Sequence, residues 1–244
     1  MNGFLPEPGK PCDFAPRIAV LPGGSANVFA RSLGIAPDPV NATNQLIDLL
    51  AAGTHRRIGL GHADNRWFTF NAGLGIDARV CESIDNARAA GHTPTPTRYV
   101  AGTLIQFMRT QFDKPTLTLQ IPDSEPVTGV HYAFVSNSSP WTYLDTRAIH
   151  TNPGTTFEGG LGVFAMRTMG VIPSLWVTRQ LLFAAEPKSS KLFRVDDVPA
   201  VRISASEPIG FQMDGDYLGL REHVDFRSVA DTLDVIAPGA PAQP

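Results

Sequence analysis

The chain has 244 residues, 43% of them hydrophobic, enough for one large domain or two small ones. Its formal net charge of −3 argues against nucleic acid as the main partner. No apolar run approaches the ~18 residues of a membrane span, and no basic-then-apolar signal opens the chain. Cys12 and Cys81 form neither a metal spacing nor a disulfide framework, so the simplest reading is a cytoplasmic protein.

Residues 1–17 hold Gly3, Pro6, Pro8, Gly9, Pro11 and Pro16 and are expected to be mostly loop. Ile18-Ala-Val-Leu21 reads as a strand buried on both faces. A turn at Gly23-Gly24 follows, then a short helix that stops at Gly34, with Ser25 or Asn27 as its cap. A strand, a glycine turn and a helix N-terminus can bind an anion, although many such turns hold nothing. Asp38-Pro39 predicts a second helix with Val40, Leu46, Ile47, Leu49 and Leu50 on its apolar side and Gly53 at its end.

From Arg56 the pattern changes. Arg57–Gly61 and Trp67–Asn71 read as two strands joined around Asp64-Asn65. A glycine loop over Asn71–Asp77 leads into a helix to about Ala90, residues 93–97 form a loop, and Tyr99–Phe112 form another helix. Strands are expected at 116–121, 127–137, 161–166, 191–195, 201–205, 209–213, 224–226 and 233–236, with an aromatic loop at 138–143 and a helix at 174–185. Closely spaced strands of this kind indicate a sandwich or barrel-like sheet pair with inserted helices. The tail from Pro238 is expected to be disordered.

The most pointed acidic feature is Gln212-Met-Asp-Gly-Asp-Tyr217. If extended, it puts Asp214 and Asp216 on one face, where two carboxylates suit a metal ion or a general base. The competing reading is a hairpin turn, because Asp-Gly between apolar runs favours type I′ geometry. Glu158-Gly-Gly160 could hold a hard cation or simply turn the chain. The six histidines lack metal-ligand spacing, neither cysteine has the surroundings of a nucleophile, and no Gly-x-Ser-x-Gly elbow occurs. The aromatics of Trp141–Tyr143, with Phe107, Phe112 and Trp176, fit core packing as well as a substrate cleft.

Three segments, in order, resemble the diacylglycerol kinase catalytic family of bacterial lipid kinases and sphingosine kinases. Pro22–Gly34 is similar to its Gly-Thr-x-Asn-Asp-Phe-Ala-Arg segment, Phe70–Ala78 to Phe-Asn-x-x-x-Gly-x-Asp-Ala, and Gln212–Asp216 to the C-terminal Asp-Gly-Glu. The resemblance implies an α/β, Rossmann-like nucleotide lobe of the NAD-kinase/diacylglycerol-kinase type followed by a β-sandwich lobe with inserted helices. Residues 1–54 would be the C-terminal part of the first, 55–238 the second and 239–244 a tail. It further implies ATP, Mg²⁺ and phosphoryl transfer to a lipid hydroxyl at a membrane surface, with a homodimer allowed. By matching position, Gly23, Gly24, Ser25 and Asn27 would bind the nucleotide, with Ser25 in the place of the threonine that contacts ATP. Asp214 and Asp216 would stand where the proton-accepting Asp and Glu are ascribed. Thr155, Glu158 and Gly160 would form a Mg²⁺ loop, the first and third through carbonyl oxygens.

Departures accompany the resemblance. The family's Gly-Gly-Asp-Gly-Thr loop has no copy in this sequence, so the chain is expected to begin inside the nucleotide lobe and to bind ATP poorly. Val28 stands where Asp is common, Gly162 replaces a frequent acid, and Asp216 is one methylene shorter than Glu. A lipid kinase-like protein is the leading expectation, and a non-catalytic lipid-binding protein or a kinase of soluble substrates are the alternatives.

Overall fold

The computed structural model describes residues 2–3, 5–8, 16–24, 26–75, 78, 81–82, 116–168, 170–183 and 186–240. Two tight turns set the register of its sheet. Asp64 and Asn65 both take positive φ (48° and 60°), the geometry that matches strand twist in two-residue hairpins. They join β1 (Arg56–Ala63) to β2 (Arg66–Phe68), with Ala63 opposite Arg66. Asp214 and Gly215 (φ 50° and 87°) do the same between β11 (Ala200–Met213) and β12 (Asp216–Val235). The four short strands expected over 201–236 therefore merge into two long ones. The interruptions are absorbed as register shifts between Ser204 and Ile209 and between Gly210 and Gln212.

Ten strands form one antiparallel sheet in the order β10-β9-β6-β3-β11-β12-β1-β2, with β4 (Leu117–Gln120) and β5 (Val127–Val130) branching from the first half of β11. β3 (Asn71–Leu74), β6 (Tyr132–Ser136), β9 (Leu161–Met166) and β10 (Leu192–Val198) extend from its second half. The single strand expected over 127–137 breaks at His131, so β5 serves β4 while β6 serves β3 and β9. The glycine loop expected from Asn71 is instead strand to Leu74, because β6 and β11 pair it on both sides. β7 (Thr142–Leu144) and β8 (Arg147–Ile149) make a separate hairpin.

The sheet curls. Phe211 lies opposite the Tyr217–Leu220 stretch of β12, roughly 20–30 Å along a straight strand from Phe226. Yet the two ring centroids are 6.0 Å apart, and Phe68 packs edge-on to Phe226 at 6.2 Å. The bulges bend the β11–β12 ribbon so that both halves face one core, which holds Phe68, Leu119, Val163, Phe211 and Phe226. Gly61 is required here, since a Cβ would meet the Phe68 ring.

A second core lies on the other face of β1 and β12. The helices α1 (Val28–Ser32) and α2 (Pro39–Ala51), with the C-cap Leu33 of α1, supply Ala30, Leu33, Ala42 and Leu46 against Ile58, Leu60, Leu233 and Val235. Covered on both sides, β1 is buried from Ile58 to Ala63. As expected, Asp38 caps α2, its Oδ1 accepting from the Asn41 amide at 2.9 Å, and Pro39 opens the helix. Only Ala42 and Leu46 are buried, while Val40, Ile47 and Leu50 face outward. A third cluster places Val177 of α3 (Val171–Phe183) on Phe134, Phe164 and Met166.

Residues 18–21 are not the doubly buried strand expected. Ile18 makes one parallel bridge to Val235, through Ile18 N–H to Asp234 O and Ile236 N–H to Ile18 O, both 2.9 Å. With a single neighbour at the end of β12, the segment is half-exposed, and Leu21 stands in solvent. Most of the helix expected to Ala90 and all of the 93–97 loop and the 99–112 helix lie outside the described residues, apart from helical Ala78, Cys81 and Glu82.

Phe226→Ala is expected to lower stability by about 3–5 kcal/mol, because it opens a void between Phe68 and Phe211. Ile47→Ala on the outer face of α2 should stay within about 0.5 kcal/mol of wild type. Urea denaturation of both variants checks the assignment of core and surface.

Candidate functional site

The Asp214-Gly215 turn is tied down by its own carboxylate. Asp214 Oδ2 accepts from Thr69 N–H at 2.7 Å and Thr69 Oγ1–H at 2.8 Å, and Oδ1 accepts from Phe70 N–H at 3.0 Å and Asn71 N–H at 3.2 Å. In return, Asp214 N–H donates to Asn71 O at 2.8 Å. Burial pushes the Asp214 carboxyl above its ordinary value, opposed by these hydrogen bonds to Phe70, Thr69 and Asn71, which favour the charged form. All four donors are turned to this one side chain, so the carboxylate links the end of β2 to the β11–β12 turn.

The node continues inward. Gln212 Nε2 donates to Asn71 Oδ1 at 3.1 Å, and Asn71 Nδ2 donates to Trp141 O at 3.1 Å. Asn137 Nδ2 donates to Gly59 O at 3.1 Å and Thr69 O at 3.2 Å, while its amide donates to Phe70 O at 2.8 Å. Asn71, Asn137 and Gln212 are all buried, so the network is a core of hydrogen bonds under the turn. Asp216 sits outside it, exposed at the start of β12. The structure decides between the two readings of this segment: it is a hairpin turn, and Asp214 and Asp216 do not share the face of an extended strand.

At the other motif, Gly23 N–H and Gly24 N–H donate to Asn27 Oδ1 at 3.1 and 2.7 Å, and Asn27 Nδ2 returns a bond to Gly24 O at 2.8 Å. Asn27 precedes α1 in a left-handed conformation and makes no side-chain cap. Its side chain closes the glycine turn instead of capping the helix, so both glycine amides are occupied. Ser25 lies outside the described residues.

The 137–150 segment joins the two sites, and sequence reasoning left it out. Arg31 of α1 lies over the Tyr143 ring at 3.4 Å and donates from Nη1 to Asp145 O at 2.9 Å. At the segment's other end stands the Asn71–Trp141 bond. Ser139 Oγ lies 2.8 Å from His150 Nδ1, and burial holds that imidazole below its ordinary value. The aromatic composition of 141–143 was the available signal, and it fitted core packing equally well. Asn71 and Gln212 lie inside the segments that carry the resemblance, whereas nothing in the sequence pointed to Thr69 or Asn137.

Residues 2–63 match the model of the diacylglycerol kinase catalytic domain. Three structures from Bacillus anthracis str. Sterne that are described as diacylglycerol kinases share the fold. One has a TM-score of 0.68 at 15% identity, covering 93% of this chain and 70% of its own. A second has 0.66 at 18%, covering 93% and 71%, and a third 0.61 at 14%, covering 93% and 68%. A search of curated proteins finds no match.

The resemblance implies a Mg²⁺ loop at Thr155, Glu158 and Gly160, the first and third through carbonyl oxygens, and the one carboxylate of that set is engaged by a cation of the protein itself. Glu158 Oε1 accepts from Arg56 Nε at 2.7 Å and lies 2.6 Å from a second guanidinium nitrogen, so its charge is already neutralised. Thr155 Oγ1–H donates to Asp196 Oδ1 at 2.8 Å and Gly160 N–H to Asp197 Oδ1 at 2.6 Å. A side chain at 162 has no room, because its Cβ would collide with Thr155 Oγ1 and Asn152. Among the described residues no group of three His, Cys, Asp or Glu could hold a metal ion.

Two variants test this site. Asp214→Ala leaves the donors of Thr69, Phe70 and Asn71 unmatched and is expected to cost at least about 2 kcal/mol, against about 0.5 kcal/mol or less for Asp216→Ala. Glu158→Gln strips the mostly buried Arg56 of its counter-charge and should cost about 2 kcal/mol. Thermal unfolding of wild type with and without Mg²⁺ should give the same midpoint, whereas a cation held by the folded loop would raise it.

Proposed function

We propose that this is a lipid kinase-like protein that transfers the γ-phosphate of ATP to a lipid hydroxyl of the diacylglycerol or sphingoid type. The observation that carries the assignment of roles is the asymmetry of the two aspartates. Asp214 has four donors on its carboxylate and positions the turn. Asp216, exposed beside it, is free to accept the hydroxyl proton as attack proceeds. A lipid hydroxyl is a poor acid, and the pull of a nearby carboxylate is the help it needs.

In this reading residues 1–54 belong to the nucleotide side and 55–238 to the lipid side, with Gly23, Gly24, Ser25 and Asn27 facing the nucleotide. Mg²⁺ carried by the nucleotide would supply the neutralisation of phosphate charge that phosphoryl transfer needs. For the glycine amides to reach a phosphate, Asn27 Oδ1 has to release them. Its side chain then acts as a latch that exchanges an internal hydrogen bond for one to the ligand.

The same latch favours a second reading, a lipid-binding protein without catalysis, because closed amides offer nothing to ATP. Phosphoryl transfer from labelled ATP to diacylglycerol and to sphingosine in mixed micelles separates the two. The kinase reading expects transfer to one of these lipids, reduced about 10²-fold or more in kcat by Asp216→Asn with stability unchanged. Absence of transfer by wild type, with lipid binding retained, supports the second.

A further inference from the structure

Helix α3 presents the wrong face to water. Its contact with the sheet runs through Val177 and Leu181, which pack against the Phe134, Phe164 and Met166 cluster. The outward positions are Ile172, Leu175, Trp176 and Phe183, exposed by 81%, 63%, 53% and 74%. Their spacing of three, four and seven places them along one side of the helix. A surface helix ordinarily carries its charges there. In α3 the only charged residue is Arg179, on that same side, with its guanidinium 5.8 Å from the Trp176 ring.

The surroundings are cationic. Between residues 167 and 194 stand Arg167, Arg179, Lys188, Lys191 and Arg194 against the single acid Glu186, in a chain whose net charge is −3. Arg147 adds another cation at the end of the helix, donating to Leu182 O at 2.7 Å with its guanidinium 5.4 Å from the Phe183 ring. Lys188 and Arg194 share Glu186, at 3.6 and 3.8 Å from the same oxygen, which leaves the cluster a net cation excess. Lys188 stands 79% exposed in a loop pinned to the helix, where its backbone N–H donates to Gln180 Oε1 at 2.8 Å and its carbonyl accepts from Gln180 Nε2 at 3.0 Å.

We propose that α3 and its basic flanks dock the protein on an anionic phospholipid surface. An apolar row with aromatic residues, edged by Arg and Lys, matches the headgroup–acyl boundary: the row enters the apolar layer and the cations meet lipid phosphates. Long basic side chains lie along the row and keep their heads at the polar level. The choice of a lipid surface over a protein partner rests on the lipid-kinase reading as well as on this charge pattern.

The test is co-sedimentation of the full chain, without nucleotide, with vesicles of phosphatidylglycerol and phosphatidylcholine and with phosphatidylcholine alone. Wild type should partition more strongly to the anionic vesicles, with a blue shift of Trp emission that Trp176→Phe lacks. Ile172→Ser/Trp176→Ser/Phe183→Ser should lower partitioning at least about tenfold. Arg179→Glu/Lys188→Glu should bring binding to anionic vesicles down to the neutral-vesicle level. Unchanged thermal midpoints show that these exposed variants fold. Absence of vesicle binding, or equal binding by the triple variant, overturns the proposal. So does a dimer in sedimentation velocity that the triple variant abolishes and vesicles fail to displace. The kinase reading fails separately, through absent transfer to a detergent-dispersed lipid.

Discussion

The Asp214 carboxylate holds together parts of the chain that are 143 to 145 residues apart. A two-residue turn needs only local geometry to form, and Asp-Gly supplies it. This turn does more, because its acid gathers the amides of Thr69, Phe70 and Asn71, which would otherwise be orphaned where β2 ends and β3 begins. The chain can therefore leave one strand pair and enter another without an unsatisfied buried donor. Asn71 then passes the constraint to Gln212 and Trp141, and Asn137 passes it to Gly59. Such a network fixes Asp216 by fixing the hairpin that carries it. For the proton-accepting role proposed for Asp216 this fixing matters, since loop tips otherwise move.

The same logic explains why the sheet is bent. A flat β11–β12 ribbon would keep Phe211 and Phe226 far apart and leave each with half a core. The bulges near Ser204 and Gly210 break two stretches of ladder, and in exchange both rings and Phe68 are buried in one cluster. The glycines follow from this closure. Gly61 lies beneath Phe68, and Gly59 takes the Phe157 carbonyl against its amide at 2.8 Å.

Local chemistry was legible in the sequence, and partnership was not. The Asp64-Asn65 and Asp214-Gly215 turns, the Asp38 cap and the strand at 161–166 each follow from residues within a few positions of one another. The continuous apolar run Ile18–Leu21 has the composition of a buried strand, yet burial depends on how many neighbours the sheet offers, and it meets only Val235. Similarly, Glu158 has the chemistry of a cation ligand in any list of residues. Its actual partner, Arg56, is 102 positions away and becomes visible only once β1 and the 152–160 loop are folded together. The charge of Asp214 is visible in the sequence, but the donors that surround it are not, because backbone amides have no signature there.

The 152–160 loop is where the N-terminal helices and the sheet meet. Phe157 touches Phe29 of α1 edge-on at 5.8 Å, gives its carbonyl to Gly59 and stands beneath the Arg56 guanidinium at 5.7 Å. Glu158 completes that guanidinium's contacts, and Asp196 and Asp197 close the loop from β10. A divalent cation in a loop binds carbonyls and carboxylates so that one chain segment is held rigid. Here an arginine and two aspartates hold the loop with hydrogen bonds between protein groups. The difference has a physical consequence. A cation imposes its own coordination shell on the loop, whereas Arg56 is carried by β1 and therefore couples the loop to the sheet. Through Phe157 that coupling reaches α1, whose Asn27 neighbour closes the glycine turn. The glycine turn and the sheet are thereby linked by a continuous chain of contacts that runs through one aromatic ring and one ion pair.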